Sequence, residues 1–283
     1  MICSIVPGMN KHTAEDIVRR ATAAFNAGQR GEARKLCEQG LSREPGDPML
    51  NHLLAAVLLS QGDVASARLH VEASLKKRPD NAAAHLLAGR IARAARDFDA
   101  ALTHLDRAIA MAPQRDAFLE KARTLDQASL LAPSLRPQAR AAWQAILKVV
   151  PQSHEAAARL GRLAFEDGDH ALAASLLERA MADDAPAPVW FDLGLVRQDL
   201  RDYDKAVKAY RRALDIKPDY AEAALNLGTV LQETGDLDGA MRAYATAYRL
   251  RPTTFGTIAM ALTSAPHGRL WLDEAALRRS LSV

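Results

Sequence analysis

The sequence is short of the residues that carry most recognisable chemistry. Only two of its 283 residues are cysteine, Cys3 and Cys37, too few for a disulfide framework and without metal-ligand spacing, so a reducing compartment is the simplest expectation. Aromatic residues make up 5%, and with alanine and leucine abundant this argues for close-packed helices over a strand-rich fold. There is no stretch of about 18 consecutive apolar residues, and Met1–Gly8, although apolar, lacks the basic start and long apolar core of a secretory signal. The expectation is a cytoplasmic chain with no membrane partner. Neither charge dominates: 37 Lys and Arg against 34 Asp and Glu give a net charge of +3, too weak a field to expect a nucleic-acid partner.

Catalytic signatures are missing too. The sequence contains no G-x-S-x-G, no G-x-x-x-x-G-K-[ST] and no G-x-G-x-x-G, so neither a nucleophile elbow nor a phosphate-cradling loop is expected. His154-Glu155-Ala156-Ala157-Ala158 has only the first histidine of H-E-x-x-H. His85 and His104 fall on adjoining helices, where a two-histidine contact is conceivable, but no third ligand accompanies them. No catalytic residue, cofactor or metal is expected.

What is present is a period. Prolines recur at Pro45, Pro79, Pro113, Pro151, Pro218 and Pro252, with Ala185-Pro186 filling the gap, about every 34 residues. The best copy places Ala240, Tyr244, Ala247 and Pro252 at 12, 16, 19 and 24 residues after Gly228. The same offsets return after Gly194, Gly161, Gly89, Ala55 and Ala21. Each position has a cause. The small residue lets a neighbouring helix approach. The alanine and the bulky residue four positions later lie on one apolar stripe of a second helix. Gln61-Gly62-Asp63, Asp167-Gly168-Asp169 and Thr234-Gly235-Asp236 end one helix and cap the next, and the proline closes the unit. Units of this kind stack into an all-α solenoid.

Trp190-Phe191-Asp192-Leu193-Gly194 and Ala224-Leu225-Asn226-Leu227-Gly228 carry a W-x-x-L-G-like signature followed by Ala, Tyr, Ala and Pro. In these residues the chain resembles the tetratricopeptide repeat family over roughly five-sixths of its length. The resemblance implies a right-handed superhelical solenoid of about seven helix-turn-helix repeats over residues 14–252. It would follow a disordered tail at 1–13, in which Met9 is an alternative start, and precede a capping segment at 253–283. Within that cap Leu270, Trp271, Leu272, Leu277 and Leu281 are expected to cover the last repeat. The fourth repeat, 114–151, is irregular: Arg123 to Ala139 spans 16 residues in place of 12, an insertion of four near Leu130–Pro137. Its first helix should be longer and its turn larger, with a bend between the repeats on either side. Small-angle scattering that fits an unbroken regular superhelix would sink the bend.

The resemblance further implies a scaffold or adaptor that binds a protein or peptide in a concave groove lined by the first helices. The family's exposed groove positions select His52, Leu86, Leu87, Arg90, Arg93, Arg159, Arg162, Phe165, Phe191, Gln198, Leu225, Asn226, Thr229 and Gln232. Arg90 and Arg93, like Arg159 and Arg162, share a helix face and can offer planar forks to an acidic peptide. The plainer reading pairs these arginines with Glu120, Glu155 or Glu166, or leaves them solvated. A chaperone-tail clamp is not expected, because Val18, Thr22, Leu53, Ala83 and Leu87 stand where lysine and asparagine would be needed. Two other roles fit the same resemblance: the substrate-recruiting or regulatory subunit of a separately encoded glycosyltransferase- or sulfotransferase-like enzyme, and a self-associating scaffold.

Overall fold

The structure, a computed structural model, describes residues 14–182, 184–264 and 274–282. The tail at 1–13 with its alternative start, and the expected packing of Leu270, Trp271 and Leu272, lie outside the described residues. Among the described residues there are sixteen α-helices and no strand. They fall into two compact units, Met1–Ala142 and Trp143–Val283.

The first unit contains three helix pairs: α1 (Ala14–Asn26) with α2 (Arg30–Arg43), α3 (Pro48–Ser60) with α4 (Val64–Lys77), and α5 (Ala82–Ala94) with α6 (Phe98–Met111). It ends with α7 (Arg115–Ser129), a 3₁₀ turn at Pro133–Leu135 and the start of α8 (Arg136–Val149). The second unit takes the rest of α8 and three further pairs: α9 (His154–Glu166) with α10 (His170–Arg179), α11 (Ala187–Asp199) with α12 (Tyr203–Ile216), and α13 (Ala221–Glu233) with α14 (Leu237–Leu250). It closes with α15 (Phe255–Ser264) and α16 (Glu274–Ser282). α7 has 15 residues where α3, α5, α9, α11 and α13 each have 13.

The helix boundaries follow local chemistry. Asp47, Asp63, Asn81, Asp97, Asp169 and Asp236 each accept the backbone N–H three residues on, at 2.7 to 3.3 Å. Each such cap contributes about 1 kcal/mol. Between paired helices the chain must pass through a left-handed residue, and Gly28, Gly62, Gly168 and Gly235 do so at φ 75° to 85°. Two turns depart from the glycine rule: Arg96 (φ 61°) and Arg201 (φ 58°) occupy the same place. There a side chain costs about 1 kcal/mol relative to glycine.

Within a pair, the small residue and the bulky one are complementary in size. A Cβ added to Gly89 would lie 2.6 Å from Leu105 Cγ, one on Gly161 2.8 Å from Leu177 Cγ, and one on Gly228 2.5 Å from a Tyr244 ring carbon. All three partners are fully buried, so the added atom has no room. In the first unit Ala21, Ala55, Ala67, Val71, Leu87 and Ile91 share one apolar core. In the second, Tyr210, Val230, Tyr244, Ile258, Leu262, Leu277 and Leu281 share another, so α15 and α16 join the core of the last pair.

Candidate protein-binding surface

The first helices of the pairs carry the residues that the sequence singles out. In the first unit, Arg90 and Arg93 on α5 turn towards Glu120 on α7. Arg93 donates to Glu120 Oε2 from Nη2 at 3.0 Å and from Nε at 3.2 Å, and Arg123 Nη1 donates to Oε1 at 2.9 Å. Arg90 Nε lies 3.3 Å from Oε1, and Arg90 Nη2 lies 3.6 Å from Asp116. Glu120 is only 4% exposed. A buried carboxylate is tolerable because three guanidiniums surround it, and it in turn engages the forks that would otherwise face a ligand.

The second unit repeats the device with fewer charges. Arg162 on α9 reaches Asp192 on α11 at 2.6 Å and Glu166 at 2.9 Å. Burial pushes the Asp192 carboxyl up, and the charges of Arg162 and Arg159 oppose that shift. Arg159 itself is exposed. Glu120 and Glu166 were weighed from sequence as partners of these arginines, and Asp192 was missed because it lies on the following first helix, 30 residues away.

The apolar and amide candidates divide by exposure. His52, Leu86, Phe165, Phe191, Gln198, Leu225, Asn226 and Thr229 are half-buried. Burial holds the His52 imidazole below its ordinary value. Phe165 meets His170 edge-on at 5.6 Å, and Phe191 stacks obliquely on Tyr220 at 4.9 Å. Phe191 and Leu225 both rest on the core that contains Tyr210 and Tyr244.

Two of the expected open positions are closed. Leu87 is 7% exposed and belongs to the core of the first unit. Gln232 is 2% exposed; it accepts the Tyr244 hydroxyl at 2.8 Å and donates to the Ala261 carbonyl at 2.8 Å. α15 supplies that carbonyl and so bears on the position that an open groove would leave free. Gln198, its counterpart 34 residues earlier, accepts the Tyr210 hydroxyl at 2.8 Å and stays half-exposed.

A polar motif inside the first unit was only half anticipated. His85 Nδ1 and His104 Nδ1 are 2.9 Å apart, and His85 Nε2 lies 3.0 Å from the Pro79 carbonyl. A carbonyl only accepts, so Nε2 carries a proton, and in the neutral ring Nδ1 accepts from His104. Thirty-four residues earlier, Asn51 Nδ2 donates to the Pro45 carbonyl at 3.0 Å while Asn51 Oδ1 accepts from His70 Nδ1 at 2.8 Å. The 19-residue spacing shared by the two pairs was the available signal.

Groups of three or more histidine, cysteine or carboxylate residues able to hold a metal are absent among the described residues. No described helix is long and apolar enough to cross a membrane.

A family model described as tetratricopeptide repeat matches residues 18–82, 52–116, 86–132, 128–188 and 191–253. A search of curated proteins found no match. Among solved structures, a tetratricopeptide repeat protein from Parabacteroides merdae is similar at 14% identity and TM-score 0.58, over 78% of this chain and 86% of that one. A chain of the APC/C hetero-tetramer Cut9–Hcn1 is similar at 19% identity and TM-score 0.56, over 89% of this chain and 50% of the other. YrrB, described as having an unusual peptide-binding site, is similar at 18% identity and TM-score 0.50, over 66% and 95%.

Proposed function

The chain belongs to the tetratricopeptide repeat family, and from that premise we propose that it is a non-enzymatic scaffold holding a protein partner, as a peptide or helix, against its first helices. The observation that carries this reading is the pair Phe191 and Leu225. They hold the same register position in successive repeats, 34 residues apart, and each is half-buried at the edge of the core. Half-exposed apolar side chains on rigid neighbouring helices suit anchoring of a partner's apolar groups. Arg90, Arg93 and Arg162 are already engaged with Glu120, Asp192 and Glu166, so on this surface apolar contact outweighs recognition of acidic sequence. The Cut9–Hcn1 assembly and the YrrB site supply analogy at the level of fold. A reducing, cytoplasmic setting suits Cys37, whose thiol is buried and pushed up to about 12, and so is unreactive.

The test is affinity capture from native cytosol with the wild-type chain beside the double variant Phe191→Glu, Leu225→Glu, after circular dichroism has shown both to be folded. A protein held by the wild type and released by the variant is the expected result. A partner held equally by both overturns the surface, and no specific capture overturns the scaffold.

A further inference from the structure

The insertion in the fourth repeat brings several irregularities to one place in the first unit. Leu130, at its start just after α7, is 81% exposed, and Leu131 beside it is 64% exposed. Water is an unfavourable neighbour for two adjacent leucines. Leu130 also lines a cleft of ≈ 350 Å³ with Arg93, Ala94, Arg96, Phe98 and Gln127. The cleft opens at the α5–α6 turn, and of the first-helix positions considered above only Arg93, at the end of α5, is among its lining residues.

Its lining holds two guanidiniums and no carboxylate. Arg93 is committed to Glu120. Arg96 is not: no side chain among the described residues pairs with it. The neighbouring carboxylate, Asp97, takes the Arg68 guanidinium at 2.6 Å and the Ala100 N–H at 3.3 Å, and so is turned to other work. Arg96 also stands in the left-handed turn position that four other turns give to glycine. An unpaired cation held in a disfavoured backbone conformation, beside a cleft and an exposed leucine pair, calls for a use outside the fold.

We propose that this cleft is a second docking site, for an acidic and apolar peptide segment of another protein. A carboxylate of the segment pairs with Arg96, and an aliphatic or aromatic side chain one turn or less away enters between Phe98 and Leu130. The occupant is a peptide, because the cleft pairs one charge with one apolar recess, a pattern that a short segment meets with two side chains. The inference goes beyond the first-helix surface and shares with that reading a polypeptide ligand and one lining residue, Arg93, which is committed to Glu120.

The probe is an array of ten-residue peptides that pair Asp or Glu with Leu or Phe at spacings of one to four. Each is printed beside a twin with Asn or Gln for the acid and a twin with Ala for the apolar residue. The full chain is applied as wild type, Arg96→Glu, Arg96→Gly and Arg201→Glu, each first shown by circular dichroism to be folded. Arg96→Gly relieves the turn, so its loss of binding cannot be laid to misfolding, and Arg201→Glu changes the same turn position away from the cleft. The expected result is retention of acidic peptides about tenfold above the amide twin, as one charge-assisted hydrogen-bonded pair allows, and about tenfold above the Ala twin, as burial of one apolar side chain allows. Both Arg96 variants lose that preference, and Arg201→Glu keeps it.

Equal retention of acidic and amide twins overturns the proposal, as does equal loss by Arg201→Glu or retention of no peptide. Peptides held independently of Arg96 overturn the cleft and leave the first-helix reading intact. A wild-type mass that rises with concentration in light scattering, and does not in Arg96→Glu, gives the cleft to a second copy of this chain and overturns the peptide as occupant.

Discussion

The two units hold their paired helices together with different polar chemistry. In the first, the paired helices of successive repeats are tied by polar contacts, Asn51 to His70 and His85 to His104. In the last two pairs of the second, tyrosines seal the helices: Tyr210 and Tyr244 lie against Gly194 and Gly228, and Gln198 and Gln232 accept their hydroxyls. The lesson is that the repeat specifies complementary volume and satisfied hydrogen bonds and leaves open which residues supply them. Ala55 and Val71, in one core, hold the repeat positions that Gly228 and Tyr244 hold in the second unit, so a larger residue on one helix goes with a smaller one on the other.

The sharpest way to break the comparison is at the ion pairs. Glu120→Leu leaves three guanidiniums without their shared carboxylate and should cost the first unit about 3–5 kcal/mol. Asp192→Leu, which releases chiefly Arg162 at a wetter site, should cost the second unit less. Hydrogen exchange resolved by peptide is the measurement, because a two-unit chain need not unfold in one step.

Next in size is Gly228→Val. The new side chain meets the buried Tyr244 ring and should destabilise the second unit by about 2–3 kcal/mol. Tyr244→Leu in the same chain should recover part of that loss, bringing the pair towards the combination of small and aliphatic residues used in the first unit. No recovery in a double-mutant cycle would show that the two positions do not read each other's volume.

The smallest effect is that of pH on the first unit. Burial holds the His70 imidazole below its ordinary value of 6.5. Burial does the same to His104, helped by the charges of His85, Arg107 and Arg68 and opposed by Glu72. The unfolded chain therefore binds more protons than the folded one as pH falls below about 6.5, and stability declines through that window towards the folded values. Exchange of α4 and α6 amides should speed up relative to global unfolding when pH is lowered from about 7.5 to about 5.5. His104→Asn should flatten the response of α6. Unchanged exchange would show that the pairs tolerate protonation.

Much of this architecture was legible because its causes are local. The capping aspartates and the turn glycines act within three or four residues of their own positions, so helix boundaries could be read from Asp63, Gly62 or Asp236 without knowing the fold. The left-handed arginines were not legible, because Arg96 and Arg201 break the glycine rule and only the backbone reveals that the turn is unchanged. The exposure of Leu87 and Gln232 was misjudged for a related reason. An offset within one repeat does not register the neighbour that covers it, such as the α15 carbonyl of Ala261 over Gln232.

By itself the 34-residue pattern determined that the chain is helical, that helices pair, and where small and large side chains must meet, because those demands recur inside every repeat. Only the tertiary structure decided which charges are spent. Arg93 finds Glu120 27 residues away and Arg162 finds Asp192 30 residues away, while Arg96 finds none among the described residues, because pairing depends on where the next helix sets its carboxylate and falls off steeply with distance.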